Sequence, residues 1–288
     1  MHKVFLKNNI NTDVIGYKAL MAFYKECKEL QNCEIEIDLT YLTWLDANLC
    51  GLWLAMINDL KITNNLSFRI DQKYWLENSK YYPNNFHVIF RNKFISLLNN
   101  MQEDFSDYKD PRQSTIELRC FTVADVDSFI EYIEKEFLEH RGCQISTTDK
   151  EHLYIAYAEL FANYEIHSKT QQPIYVCGQY FSKNQQLMFS FTDVGVGFAK
   201  PIYEYTKINK NPIKTPLEAV KWAIEGHTTK QTGLGGSGLK SIEEFCKHRK
   251  GNFHIITDGI YTYYDANKTR VFETQEDYFK GVTVHLLF

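Results

Sequence analysis

The sequence predicts an α/β protein of two domains, on three observations. Short apolar or alternating runs trade places with amphipathic, capped helical stretches over residues 1–100. A polar stretch at 100–114, ended by Pro111, interrupts that rhythm. A second, differently ordered set of strands and helices then fills 115–288. The resulting boundaries are a first domain over 1–104, a linker over 105–114 and a second domain over 115–288. The 288 residues are 44% hydrophobic and 24% charged, which suits two ordinary globular cores. A formal charge of −4 disfavours a protein that lives on phosphate contacts to nucleic acid, yet is too small for a disordered, solvating chain.

In the first domain, residues 4–6 form a candidate strand. Asp13 caps a helix to about Leu30, in which Ile15, Leu20, Met21 and Tyr24 recur at helical spacing. Residues 34–39, Glu-Ile-Glu-Ile-Asp-Leu, alternate as a half-buried strand does. Asp46 opens a second helix to about Lys61. Residues 66–70 and 86–90 read as further strands and 94–98 as a helix. In the second domain, 116–121 reads as a strand. A helix capped near Thr122 or Asp125 follows and is closed by Gly142. A further helix, capped within 146–148, runs to about Ser168. Pro173 introduces strands at 174–180 and 186–193. Pro201, Pro212 and Pro216 mark an irregular segment before helices at about 217–225 and 237–248. Strands near 252–257, 260–264 and 281–287 close the chain.

The longest apolar stretch, 49–57, is far short of the roughly 20 residues of a membrane helix. The first residues lack the apolar core of a secretory signal. Seven cysteines, an odd number with no CxxC pair and several in apolar stretches, read as buried free thiols of a reducing cytosol, without a zinc framework.

Three motifs in the second domain bear chemistry. Glu159, Asn163 and His167 recur every four residues along the border of an apolar face made by Leu153, Ala156, Tyr157, Leu160 and Tyr164. Such a ridge is costly to bury unless something satisfies it. A magnesium nucleotide would do so, with Asn163 giving one neutral oxygen to Mg²⁺ and Glu159 orienting or deprotonating a water aimed at the γ-phosphate. A solvated helix edge has the same pattern. The second motif, Phe191-Thr-Asp193-Val-Gly195-Val-Gly197, places a carboxylate at a strand end, where it can accept from an exocyclic amine such as adenine N6. The glycines let backbone pass close beneath a flat ring; an Asp-containing turn is the plainer alternative.

The third motif follows Thr228-Thr229-Lys230. Gly233, Gly235, Gly236 and Gly238, four of the chain's 14 glycines, fall within six residues just before a helix. Backbone N–H groups leading into a helix N-terminus make an anion site. Gly233, Gly235 and Gly238 satisfy GxGxxG, and Asp258 lies where a ribose-binding acid is expected. The segment at 218–225 reads as helix, however, whereas a dinucleotide turn must follow a strand directly. Leu239, between Gly238 and Lys240-Ser241, breaks the P-loop pattern.

In this order the three motifs resemble the N, G1 and G2 boxes of the GHKL (Bergerat-fold) ATPases, the superfamily of gyrase, mismatch-repair ATPases and histidine kinases. The likeness covers about 115–288 and is nearest to bacterial anti-sigma-factor serine kinases and stand-alone histidine-kinase-like ATPases. It implies a Bergerat α/β sandwich that binds ATP and Mg²⁺. Glu159 would be the catalytic, water-activating residue, Asn163 the metal ligand and Asp193 the reader of adenine. Gly195 and Gly197 would lie beneath the ring. Gly233, Gly235, Gly236 and Gly238 would wrap the phosphates as part of a mobile lid, with Thr229 and Lys230 beside them. His167 matches a histidine often seen after the asparagine. Two positions depart from the family pattern: Ile166 replaces a basic residue common in the kinases, and Gly281-Val282 replaces a Gly-Thr pair, with Thr283 adjacent. Both imply slow turnover rather than lost binding.

Residues 33–62 resemble the centre of a STAS domain, the anti-sigma-factor-antagonist fold, and imply a mixed sheet with helices. A strand ends, Asp46-Ala-Asn48 forms a turn, and a helix starts. Asn48 stands where that family has a phosphorylatable serine, so the switch is absent; Asp46 and Asn48 are otherwise helix caps. Together the resemblances imply a cytoplasmic ATP-binding regulatory protein. In it, Mg-ATP binding and slow hydrolysis would switch the fit to a protein partner or to the STAS-like half, with a homodimer left open and no membrane or nucleic acid involved. The alternatives are a serine kinase acting on a separate STAS-type partner and a non-catalytic nucleotide-sensing scaffold. A histidine-kinase reading lacks its helical hairpin, His140 being the sole candidate acceptor between the linker and residue 147.

Overall fold

The computed structural model describes residues 1–6, 8–69, 87–98, 110–167, 169–208, 210, 212–229, 236–265, 268–273 and 279–288. The chain divides into two units, Met1–Arg119 with Cys177–Gln179, and Cys120–Val176 with Tyr180–Phe288. The division falls within a strand at 115–121. The expected linker begins earlier, and its residues 105–109 lie outside the described residues.

The first unit contains β1 (His2–Phe5), β2 (Asn8–Ile10), α1 (Val14–Glu29), β3 (Glu34–Asp38) and β4 (Leu42–Leu45), then α2 (Cys50–Leu60), β5 (Asn65–Arg69), α3 (His87–Arg91) and α4 (Phe94–Leu97). Asp13 caps α1 as its position predicts, Oδ1 accepting the N–H groups of Ile15 at 2.9 Å and Gly16 at 2.8 Å. The alternation of β3 buries Ile35 and Ile37 completely. A three-stranded sheet has the order β1-β3-β5, and β2 pairs with β4 separately. Every one of these pairings is parallel, not mixed as the sequence suggested. The neighbours in the three-stranded sheet are joined by crossovers containing α1 and α2, and a crossover returns the chain in the same direction. α2 is buried nearly all round, and its Trp53 stacks on Phe94 with ring centroids 4.8 Å apart.

Other expectations for this unit are corrected. Asp46 caps nothing: Oδ2 accepts the Thr12 N–H at 2.6 Å and Oδ1 the Trp44 indole N–H at 2.7 Å. A 3₁₀ turn, Ala47–Leu49, precedes α2 instead. Asn48 is fully buried, with Nδ2 donating to Thr12 Oγ1 at 3.3 Å. Residues 87–91 are helix, not strand. In so short an apolar run, periods of 2 and 3.6 cannot be told apart. Residues 70 and 86, the ends of two expected strands, lie outside the described residues.

The second half contains β6 (Thr115–Phe121), α5 (Val126–Tyr132) continued by a π-helical turn (Ile133–Leu138), α6 (Thr147–His167), β7 (Ile174–Phe181) and β8 (Gln186–Asp193). It goes on with α7 (Ala199–Thr206), α8 (Pro216–Ile224), α9 (Ser237–Arg249), β9 (Asn252–Thr257), β10 (Ile260–Asp265), β11 (Thr269–Glu273) and β12 (Val282–Leu287). The strands form a seven-stranded sheet in the order β11-β10-β9-β12-β8-β7-β6. β8 with β12, β12 with β9, β9 with β10 and β10 with β11 all run antiparallel. Stacked rings tie helix to sheet, Phe137 on Phe189 at 4.2 Å, and helix to helix, Phe129 on Phe161 at 4.6 Å.

The segment read as irregular holds α7. Its Pro201 sits in the first turn, where no intrahelical N–H is needed. Its cap comes from far along the chain: Asp258 Oδ2 accepts the N–H groups of Phe198 at 2.9 Å and Ala199 at 2.8 Å. All seven cysteines are free thiols. Among the described residues, no helix is long and apolar enough to cross a membrane.

Candidate functional site

A cleft in the second unit encloses about 830 Å³ including its open mouth, a size suited to a small ligand. α6 presents Glu159, Asn163 and His167 along one side, the ridge that its four-residue spacing predicts. The sheet supplies the floor. Asp193 and Phe191 of β8 lie opposite Val282 and Val284 of β12, and all four line the cleft. Phe198, Pro201 and Ile202 at α7 with Trp222 and Ala223 of α8 form an apolar wall, and Gly197, Thr228, Thr229, Gly236 and Gly238 are also among the lining residues.

Asp193 is the group out of balance. Its Oδ1 is shut off from solvent and has no hydrogen-bond partner among the described residues. Burial pushes its carboxyl up to about 7. The register explains the want of a donor. Val282 faces Asp193, whereas Thr192 and Thr283, one residue along and therefore on the other face, bond each other at 3.1 Å.

Glu159, by contrast, is satisfied. Oε1 accepts the Ser237 N–H at 2.9 Å, and Oε2 accepts the Ser237 hydroxyl. Ser237 is the first residue of α9, so the carboxylate sits on a helix N-terminus. Gly236 before it has φ +85°, and a Cβ there would lie 2.4 Å from the Gly226 carbonyl oxygen, so glycine is required. At Gly238 a Cβ would stand 3.1 Å from the Ala156 carbonyl oxygen, so the lack of a side chain lets α9 lie close against α6. His167 Nε2 lies 3.3 Å from Thr229 Oγ1, and the ring of His227 stacks on Trp222 at 5.2 Å.

The structure thus brings Glu159, Asn163, Asp193, Gly197, Thr229, Gly236 and Gly238 to one cleft. Gly195 lies in the turn after β8 and is not among the lining residues. Lys230, Gly233 and Gly235 lie outside the described residues. Gly197, expected beneath a ring, also answers a structural demand: φ is +75°, and a Cβ would meet Asp258 Oδ1 at 2.4 Å. Asp258, set aside above as a ribose acid, is the cap of α7. Trp222 and Ser237 were not singled out from sequence. A lone tryptophan on a predicted helix carries no chemical signature, and Ser237 was hidden inside the glycine motif. No protein-family model matches the chain, and a search of curated proteins returns no match.

Proposed function

We propose that the second unit is a GHKL-type domain that binds ATP with magnesium in this cleft and uses the bound state to regulate a protein partner. The observation that carries this reading is the buried Oδ1 of Asp193, without a hydrogen-bond partner among the described residues, in a cleft that Phe191, Val282, Val284 and Ile202 also line. It asks for a donor that also has a flat apolar body, and the exocyclic amine of adenine is such a donor. Phe191, Val282, Val284 and Ile202 would enclose the ring. The polyphosphate would then extend toward the N-terminus of α9, whose dipole and amides favour negative charge.

The donor set fits Mg²⁺ in the way phosphate-borne ions are held. Asn163 lines the cleft beside Glu159 and would contribute one neutral oxygen, phosphate and water supplying the rest. When bound, the ion would draw negative charge off the phosphates. Glu159 would hold the water that attacks the γ-phosphate, and turnover would be slow. The first unit suits a STAS-like interaction module at the coarse level of parallel strands and helices. Its buried Asn48, where that family has an accessible serine, supports a role without phosphorylation there.

Calorimetric titration with Mg-ATP tests the reading. Binding by the wild type, weakened at least about tenfold in Asp193→Asn, is the expected result. No heat of binding at millimolar nucleotide overturns it.

A further inference from the structure

Two anions have a claim on one set of donors at the rim of the cleft, where Ser237 is exposed between Gly236 and Gly238, two of the lining residues. The Ser237 N–H belongs to the first turn of α9, where amides have no intrahelical partner. Glu159 takes it at 2.9 Å and takes the Ser237 hydroxyl as well, so both carboxylate oxygens are engaged. Gly238 packs close to Glu159, a Cβ there lying 3.3 Å from the Glu159 Cβ, so α9 brings Ser237 within reach of that carboxylate. Asp193, whose buried Oδ1 has no hydrogen-bond partner among the described residues, lines the same cavity as Glu159. On the nucleotide reading, a base docked there sends its phosphates toward Ser237. A phosphate oxygen cannot take the Ser237 N–H while Glu159 holds it, and two anions on one amide repel each other.

We propose that Ser237 is a specificity-determining residue: by holding the Glu159 carboxylate on the donors a phosphate would take, it sets how strongly the cleft prefers a nucleotide to a nucleoside. An arriving phosphate displaces Glu159, so its carboxylate is released toward water only when there is a phosphate to attack. An empty cleft keeps that carboxylate idle. This rests on the nucleotide reading above and adds to it a competitor built into the chain.

The test titrates wild type, Ser237→Ala, Ser237→Thr and Glu159→Gln with adenosine and with ADP. Ser237→Ala and Glu159→Gln should bind ADP about tenfold more tightly than wild type, the worth of one hydrogen bond to a charged group. Adenosine, which has no phosphate to compete, should keep its affinity within about twofold, which also shows that each variant is folded. Ser237→Thr keeps the hydroxyl and should restore the wild-type ratio. Weaker ADP binding by Ser237→Ala would make Ser237 a phosphate donor and overturn the proposal. Equal changes for adenosine and ADP, or none, overturn it while leaving the nucleotide reading intact. A wild type that binds neither compound removes that reading and this inference with it.

Discussion

Val282 lies directly opposite Asp193 across the β8–β12 ladder and offers its buried Oδ1 no hydrogen bond. The carboxyl is consequently held in the fold with its ionisation pushed up to about 7 by burial. An Asp raised above its unfolded value of about 3.9 costs nothing at acid pH, where both states are protonated. The cost grows as pH rises and is complete above about 7. Asp193→Asn removes that cost. The variant should be more stable than the ligand-free wild type by roughly 1–3 kcal/mol at pH 8, while its ATP affinity falls. Urea unfolding without nucleotide checks the first half; a variant no more stable than wild type would show that the buried charge is relieved in some other way.

The same carboxyl sets a pH dependence for binding. An adenine amine donates to the ionised form, so affinity should rise with pH through the neutral range and level off once Asp193 is fully charged. Between pH 6 and 8 the gain is about tenfold, the change in ionised fraction for a group near 7. Adenosine is the right probe because it has no phosphate that titrates there. Asp193→Asn should give a flat profile, and a sloped one would place the titrating group elsewhere.

Much of this site is written in local sequence, and what is not depends on distant partners. The four-residue ridge of α6 and the strand-end position of Asp193 follow from periodicity alone, and Asp13 capped α1 because its partners are two and three residues away. Asp46 looked like the same device but is spent on Thr12, 34 residues away, and on an indole N–H. α7 was hidden because prolines dominate its neighbourhood and its cap, Asp258, is 59 residues beyond Ala199. The want of a donor at Asp193 depends on Val282, which the chain reaches only after three further strands. Local pattern finds which groups are present; only the sheet register says which of them lack a partner.

Buried histidines predict acid sensitivity in the sheet. The His254 ring uses both nitrogens, lying 2.6 Å from the Tyr261 hydroxyl and 3.1 Å from Asn252 Oδ1. The neutral ring suits this pairing, with one nitrogen donating to the amide oxygen and the other accepting the phenol proton. Burial pushes His254 down to about 4, and burial with the nearby His254 pushes His285 down as well. Their contribution to stability is therefore full above the unfolded value of about 6.5 and is lost as pH falls toward the folded value. His254 should cost roughly 2 kcal/mol between pH 6.5 and 5, and His285 acts in the same direction. Chemical denaturation across that range checks it: His254→Gln should flatten the slope, and an unchanged slope would assign the proton uptake to other groups.

The contact of Gly197 with Asp258 predicts a coupling that neither residue shows alone. Asp258 Oδ2 gathers the N–H groups of Phe198 and Ala199 and the Thr257 hydroxyl, so it anchors the start of the helix that walls the cleft. Asp258→Ala should cost about 1–2 kcal/mol, as loss of a cap does, and speed amide exchange at Phe198 and Ala199. Gly197→Ala should cost more, because its methyl must both sit at φ +75° and displace the carboxylate 2.4 Å away. In the Asp258→Ala background the collision is gone and only the backbone strain remains. The two losses should therefore sum to more than the double variant loses, by about 1 kcal/mol or above. A strictly additive cycle would mean that the carboxylate swings aside without cost, and that α7 is held by something other than Asp258.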